Sequence, residues 1–169
     1  KLYYLNQLKN FLPDPKKKYK ILEIGADNGN FIKLLSTIYK NADFYSIEPN
    51  INMQKKLKKI TKFNFTSIND IKNNLKFDLI IGIHTFDHIS QLNDYFEKLL
   101  NHINDMGLVF GVVHNENSYM ARLFKKKWPI FRLQHPHLFN HKTINDFFIK
   151  YKFKKVFINR TKNYFNIGF

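Results

Sequence analysis

The segment KILEIGADNGN, residues 20–30, decides the fold. The run is apolar up to Glu23 and Gly25, and a polar corner then closes on Gly29. A short apolar run that ends in glycine and leads into helical periodicity is typical of a buried strand entering a helix. In open α/β sheets, ligands bind outside the carboxyl ends of such strands. The segment therefore predicts either a ligand-binding loop or a strand-to-helix turn without a ligand.

The same alternation of short apolar runs and helical periodicity continues along the chain. We predict about seven strands, at Tyr19–Gly25, Asp43–Ile47, Asn64–Ser67, Phe77–Ile83, Gly107–Val113, Lys154–Asn159 and Asn163–Gly168. Helices are predicted at Leu2–Phe11, Phe31–Tyr39, Ile51–Ile60, Gln91–Asn101, Ser118–Phe124 and Thr143–Tyr151. This rhythm favours an α/β fold with a mostly parallel sheet and helices on both faces. Without a linker or repeat, we expect one domain over residues 1–169.

Composition excludes several classes of protein. The chain has 169 residues and no cysteine, which excludes disulfides, thiolate metal sites and a cysteine nucleophile. No stretch approaches the ~20 apolar residues of a membrane-spanning helix, and the first residues lack the apolar block of a signal peptide. We therefore expect a cytoplasmic protein without a membrane span.

The net charge of +15 raises the question of a nucleic-acid partner. Only three of the 28 basic residues are arginine, the side chain that bidentate phosphate and guanine recognition favours. A nucleic-acid partner is therefore not favoured, and the simpler interpretation is a lysine-rich surface in contact with solvent.

Glu48 supports the ligand-binding interpretation of the first segment. It ends the second predicted strand, about 20 residues after the loop, where a carboxylate can accept both hydroxyls of a ribose. The dinucleotide fingerprint counted from Gly25 needs glycines where Asp27 and Asn30 stand. The Asp27 carboxylate would repel phosphate but tolerate a cationic group such as a sulfonium. These residues predict an adenosine-containing ligand without a pyrophosphate.

Four segments, taken in order, resemble the motifs of the class I S-adenosylmethionine-dependent methyltransferases. They are ILEIGADNG, FYSIEPN, FDLIIGIHTFDHI at 77–89 and MGLVFGVV at 106–113. The resemblance covers nearly the whole chain and implies a Rossmann-like fold, S-adenosyl-L-methionine as cofactor and methyl transfer as activity. Within the class there is some similarity to nucleotide-sugar C-methyltransferases.

The resemblance also implies which residues contact the cofactor. Carried over position by position, they are Glu23, Gly25, Asp27 and Gly29 around the methionine part, Glu48 and Pro49 at the ribose, Ser67 and Ile68 at the adenine, and His84 near the methionine moiety. Two residues depart from the family pattern. Asp27 replaces the middle glycine of the loop, although aspartate accepts a left-handed backbone better than most residues. Ser67 replaces the acid that usually contacts the adenine amine.

The candidate proton acceptors are histidines. HPHLFNHKTINDFF resembles a family segment in which a histidine precedes the last helix, which implies that His137 is the base, with His135 beside it and Phe139 closing the pocket. His88, Asp87 and His114 follow the fourth and fifth strands and are further candidates. For each histidine, a purely structural role remains an alternative.

Metal binding is a rival interpretation of the histidines. His84 and His88 are four residues apart, and His135 and His137 are two apart, spacings that could chelate zinc or iron. The chain has no HExxH pattern and few carboxylates near these residues. We therefore expect no metal.

Three functions remain open. The favoured one is S-adenosylmethionine-dependent methylation of a small molecule, such as a nucleotide sugar or another envelope or secondary metabolite, with histidine-assisted deprotonation. The second is RNA modification or binding, suggested by the charge and by Lys125–Lys127 beside Trp128. The third is a non-catalytic partner subunit, suggested by Asp27, Ser67 and the missing glycine pair before the fifth strand, where Asp105-Met106-Gly107 stands. The sequence leaves the oligomeric state open.

Overall fold

A computed structural model describes residues 1–128, 131 and 134–161 of the chain. The strands are β1 Lys20–Ile24, β2 Asp43–Ile47, β3 Phe63–Phe65, β4 Phe77–Ile83 and β5 Ile103–Val112. The helices are α1 Leu2–Lys9, α2 Asn30–Ser36, α3 Ile51–Leu57, α4 Leu92–Leu100, α5 Tyr119–Phe124 and α6 His141–Lys150. The predicted helices are thus present, with ends that differ by a few residues.

The strands form one parallel sheet in the order β3-β2-β1-β4-β5. β1 and β4 are runs of isoleucine and leucine because a parallel sheet with helices on both faces is buried on both sides. The chain builds outward from β1 to one side through β2 and β3, and then crosses to the other side through β4 and β5. This reversal beside β1 is the position at which open α/β sheets bind ligands.

Alternate residues of the strands supply two hydrophobic layers. Ile21 and Leu79 face a layer that includes Leu8 of α1, and Phe31 and Leu35 of α2. The opposite layer packs α4 and α6 against the sheet, and its members include Leu22, Ile24, Ile80, Phe96, Leu99 and Phe147. The predicted arrangement, a mostly parallel sheet with helices on both faces, is confirmed.

The predicted strand count was too high for the described residues. The sheet has five strands, and Lys154–Asn159, predicted as a sixth, is not a strand. This segment lies along α1 instead: Phe157 packs against Phe11 with ring centroids 5.3 Å apart, and Tyr3 donates a hydrogen bond to the Arg160 carbonyl. Phe157 is 68% exposed, so the alternation of apolar and polar residues in this segment does not correspond to the buried face of a strand. Asn163–Gly168, the seventh predicted strand, lies outside the described residues.

Parallel strands place their carboxyl ends at one edge of the sheet. Gly25, Glu48 and His84 follow β1, β2 and β4 directly at this edge, and His114 comes two residues after β5. Backbone hydrogen bonds lock these exits to their neighbours: the Gly25 N–H donates to Ile47, and the His84 N–H donates to Val112. Residues that are up to 89 positions apart in the sequence therefore meet around one site.

The helices were also compared with the requirements of a bilayer crossing. Among the residues that the structure describes, none of the helices combines the length and the apolar character that such a crossing needs.

Candidate active site

A cleft of about 420 Å³ opens at the carboxyl ends of β1, β2 and β4. Its lining consists of Ile24, Gly25, Ile47, Glu48, Pro49, Thr66, Ser67, Ile68, His84, Thr85, His88, Ile89 and Tyr95. Six of the residues predicted to contact the cofactor are in this lining: Gly25, Glu48, Pro49, Ser67, Ile68 and His84. The fold therefore brings together residues from four separate loops.

Gly25 makes a sharp exit from β1. Its φ is +67°, and a Cβ at this position would lie 2.7 Å from the Thr85 hydroxyl oxygen. Both the backbone and the neighbouring side chain therefore require glycine. Asp27, two residues later, also has a left-handed backbone with φ +49°. The expectation that aspartate would accept the backbone of the missing glycine is confirmed.

The Glu48 carboxylate joins this loop to the end of β2. One oxygen accepts the N–H of Asp27 at 2.8 Å, and the other accepts the N–H of Asn50 at 2.9 Å. Glu48 is only 7% exposed. Each carboxylate oxygen can accept a second hydrogen bond, so the side chain can hold the loop and still bind hydroxyl groups in the cleft.

Gly29 has a packing role. It caps the start of α2 with φ +72°, and a Cβ there would lie 2.3 Å from the Ile60 side chain and 2.9 Å from Leu57. Its N–H donates to the Ala26 carbonyl at 2.8 Å. Glycine is thus required by the close approach of the segment after α3. Gly29, Glu23 and Asp27 were also predicted to contact the cofactor. None of the three is among the described residues that line the cleft.

Glu23 is a buried acid behind the loop. The side chain is 4% exposed, and among the described residues one carboxylate oxygen has no hydrogen-bond partner. Burial raises the pKa of Glu23 to about 8, against the opposing effects of Lys1 and of the Ile32 N–H, while Asp27 raises it further. The carboxyl is therefore protonated at neutral pH in the ligand-free protein.

The side chain of Ser67 serves the local backbone. Its hydroxyl accepts the Asn69 N–H at 3.2 Å, and Asp70 accepts the N–H groups of Thr66 and Ser67 at 3.1 and 2.8 Å. This turn places Ile68 against the cleft. The carboxylate in this turn, Asp70, lies three residues after position 67 and orders the backbone.

Tyr95 is a cleft residue that the sequence interpretation missed. It comes from α4, and its hydroxyl is buried without a hydrogen-bond partner among the described residues. Burial raises the pKa of this hydroxyl well above its usual value, so it is a neutral donor. A tyrosine in an amphipathic helix carries no local signal for a ligand contact, since the same pattern predicts ordinary packing.

Four histidines gather around one aspartate next to the cleft. His114 Nδ1 lies 2.5 Å from Asp87 Oδ2, and its ring centroid is 4.5 Å from that of His84 and 5.1 Å from that of His135. The His88 and His135 rings are 4.3 Å apart. We call these five residues the histidine cluster.

Two members of the histidine cluster, Asp87 and His84, have a lowered pKa. Burial alone would raise the pKa of Asp87, but the hydrogen bond and charge of His114 outweigh it and hold that pKa below the usual value. For His84, the walls of the cleft exclude part of the solvent and lower the pKa, and His114 lowers it further. A charged carboxylate thus lies next to a neutral imidazole.

His137 lies apart from the ring contacts of the histidine cluster. Its Nε2 is 3.1 Å from the carbonyl of Ser90, the residue after the cleft residue Ile89. The segment is held by Phe139, whose backbone forms a bridge with Asn115 and accepts the Glu116 N–H at 2.8 Å. His137 is therefore positioned close to the rim of the cleft, and its catalytic role stays a prediction.

A profile of the methyltransferase-domain family matches residues 2–156. The chain therefore belongs to the methyltransferase-domain family, and the resemblance inferred from its motifs is confirmed. A search of curated proteins found no significant match.

Solved structures share the fold. The plantazolicin methyltransferase BpumL, in complex with a triazolic desmethylPZN analog and SAH, superposes with a TM-score of 0.69 at 19% identity. The alignment covers 90% of this chain and 62% of the other, so the chain spans less than two thirds of the length of that enzyme. A methyltransferase from Clostridium acetobutylicum ATCC 824 gives a TM-score of 0.57 at 15% identity, covering 70% and 52% of the two chains. Coclaurine N-methyltransferase, bound to N-methylheliamine and SAH, superposes with a TM-score of 0.53 at 15% identity. That alignment covers 64% of this chain and 35% of the other. The fold is that of the class I S-adenosylmethionine-dependent methyltransferases.

The protonation of Glu23 makes stability depend on pH. The unfolded chain ionises this carboxyl near pH 4.5, whereas the folded chain keeps its proton up to about pH 8. The contribution of Glu23 to the free energy of unfolding therefore falls as pH rises between these values. We expect Glu23→Gln to be more stable than the wild type by about 2–4 kcal/mol at pH 8, at ~1.4 kcal/mol per pKa unit, and equally stable at pH 4.

Urea unfolding at both pH values measures this difference. The exposed Glu97→Gln variant is the control, because it makes the same chemical change without burial and should leave stability within ~0.5 kcal/mol of the wild type. An equal effect of Glu23→Gln at the two pH values would show that folding does not raise the pKa of this carboxyl.

Proposed function

We propose that this domain binds S-adenosyl-L-methionine in the cleft and transfers its methyl group to a small molecule. The single observation that carries the proposal is the position of Glu48. This buried carboxylate lines the cleft and accepts an N–H from the β1 loop, so the acid at the end of β2 and the glycine loop form one continuous surface. That pairing suits a ribose bound beside a loop without a pyrophosphate site.

The lining suggests how the cofactor lies. The ribose hydroxyls would donate to Glu48, and the adenine would lie between Ile68 and Tyr95, where the Tyr95 hydroxyl has no protein partner among the described residues. The methionine part would pass Gly25 towards His84 and Thr85. The tyrosine hydroxyl would then supply a polar contact to adenine that Ser67, occupied by its own turn, does not offer.

The acceptor class is proposed from the surroundings of the cleft. A second groove, of about 660 Å³, is lined by Asn28, Asn30, Lys33, Lys55, Lys56, Lys59 and Ile60. The described residues that line this groove include lysines but no arginine and no aromatic side chain on which a base could stack. We therefore favour a small-molecule acceptor, such as a nucleotide sugar or a secondary metabolite, over RNA. The similar enzymes bound to a desmethylPZN analog and to N-methylheliamine are consistent with this choice.

His137 is the proposed proton acceptor. Its Nε2–H donates to the Ser90 carbonyl, which leaves the lone pair on Nδ1. The acceptor atom would attack the methyl carbon, the sulfur–carbon bond would break, S-adenosylhomocysteine would leave, and the acceptor's proton would pass to Nδ1. His88 and His135 are the alternative bases. The Nδ1 of His88 contacts the Gln134 carbonyl at 2.8 Å, so its Nε2 carries the lone pair.

Calorimetric titration with S-adenosylhomocysteine tests cofactor binding. We expect saturable binding by the wild type and a weakening of ~1–3 kcal/mol in Glu48→Ala, because a charged hydrogen-bond acceptor is lost. Glu97→Ala removes the same charge from an exposed position on α4 and should bind like the wild type. Absence of binding at millimolar ligand would contradict the proposal and favour a non-catalytic partner subunit.

Tyr95→Phe separates ligand contact from packing. The substitution removes only the buried hydroxyl, so the free energy of unfolding should stay within ~1 kcal/mol of the wild type or increase, since an unpaired polar group leaves the interior. Affinity for S-adenosylhomocysteine should fall ~5- to 20-fold, the equivalent of one hydrogen bond. Unchanged affinity would exclude the hydroxyl from cofactor binding.

Substitution of His137 tests the proton acceptor. In His137→Asn we expect methyl transfer from labelled cofactor into small-molecule extracts to fall ~10²- to 10⁴-fold, while S-adenosylhomocysteine affinity is unchanged. His141→Asn is the matched control, because His141 is exposed at the start of α6. An unchanged rate of methyl transfer in His137→Asn would exclude His137 as the proton acceptor and favour His88 or His135.

A further inference from the structure

The histidine cluster contains more ligating groups than the proposed methyl transfer uses. Cofactor binding draws on the cleft lining, and His137 is outside the cluster. Asp87 and His114 are not in the cleft lining, and together with His84, which is, they supply two imidazoles and a carboxylate from the exits of β4 and β5. One ligand atom from each of the three residues lies within 4.8 Å of the ligand atoms of the other two.

Asp87 is the anchor of this group. It is 1% exposed, and its Oδ2 contacts His114 Nδ1 at 2.5 Å. Its other carboxylate oxygen, Oδ1, is buried without a hydrogen-bond partner among the described residues. An unpaired charged oxygen in the interior is costly, and a single imidazole does not satisfy both oxygens. A bound cation would interact favourably with the second oxygen.

The backbone holds His84 towards Asp87. His84 has φ +51°, a left-handed conformation that costs a histidine roughly 1 kcal/mol. The conformation persists because its N–H donates to the Val112 carbonyl at 2.7 Å, which ties the end of β4 to the end of β5. Such strain concentrates at functional sites, where the surrounding structure enforces it. Here it brings the His84 ring to 4.5 Å from the His114 ring.

We propose that His84, Asp87 and His114 bind one divalent transition-metal ion of the zinc type. Two imidazoles and one carboxylate suit zinc, cobalt or iron(II), whereas magnesium and calcium prefer sites made only of oxygen atoms. Three protein ligands are also the number found in catalytic zinc sites, where water or substrate completes the coordination. His84 belongs to the cleft lining, so a metal bound there would lie beside the proposed cofactor site.

The ligand atoms must approach each other when the ion binds. Bonds of ~2.0 Å in a tetrahedral site place ligand atoms about 3.3 Å apart, so the partly exposed His84 ring must rotate towards the carboxylate. The sequence spacing paired His84 with His88, and His135 with His137, as possible chelators, and no metal was predicted because the chain lacks an HExxH pattern and has few carboxylates near these residues. The fold instead pairs His84 with Asp87 and with His114, which is 30 positions away.

Cobalt(II) titration of the untagged full chain tests the site, after dialysis against a chelator. Visible d–d absorption reports nitrogen and carboxylate coordination, and we expect saturation at one equivalent with micromolar or tighter affinity. His84→Ala and Asp87→Asn should each weaken binding at least tenfold, as ligand changes in metal sites do. His141→Ala removes an exposed histidine outside the cluster and should leave the titration unchanged.

Two results would overturn the metal site. One is the absence of stoichiometric cobalt absorption in the wild type. The other is equal cobalt affinity in the wild type and His84→Ala, which would assign any binding to other histidines. His84→Ala keeps this test decisive if Asp87→Asn fails to fold, because His84 is exposed. Titration of the metal-free chain with S-adenosylhomocysteine is independent of this outcome, so failure of the metal site and failure of the proposed function are distinguished.

Discussion

The contacts of the Glu48 carboxylate hold the candidate site together. Its two oxygens accept N–H groups from the β1 loop and from the start of α3, at 2.8 and 2.9 Å, in a place that is almost closed to solvent. The loop after β1 keeps its left-handed turns at Gly25 and Asp27 beside this acceptor. The shape of the loop, the position of the acid and the opening of the cleft therefore all depend on the contacts of Glu48.

The segments that follow β4 and β5 contribute ionisable side chains beside the cleft. Because the two strands are parallel neighbours, His84 and Asp87 of one exit meet His114 of the other, and the histidine cluster forms beside the cleft. Methyl transfer needs a cofactor site and a place for an acceptor next to it. We propose the first at Glu48 and the second between the cleft and the histidine cluster. A metal ion at His84 and Asp87 would place a Lewis acid at that boundary.

Much of the fold and part of the candidate site could be predicted from the sequence because they depend on local patterns. Apolar runs predicted β1 to β5, and the spacing of Gly25 and Glu48 predicted a shared edge, which the cleft lining confirms. Contacts between distant residues were not readable. Gly29 allows Ile60 to pack closely, Tyr95 enters the cleft from α4, and the alternating segment Lys154–Asn159 is not a strand. Each of these depends on how elements pack, which periodicity alone does not specify.

A crystal structure of the chain with S-adenosylhomocysteine tests the central claim most directly. The account predicts both ribose hydroxyls within hydrogen-bond distance of the Glu48 carboxylate, with the adenine against Ile68 and the Tyr95 hydroxyl. It also predicts that the Asp27 N–H keeps its bond to Glu48, because the ribose uses the remaining lone pairs. A ligand bound in the lysine-lined groove, or a ribose without contact to Glu48, would contradict the assignment of the cleft as the cofactor site.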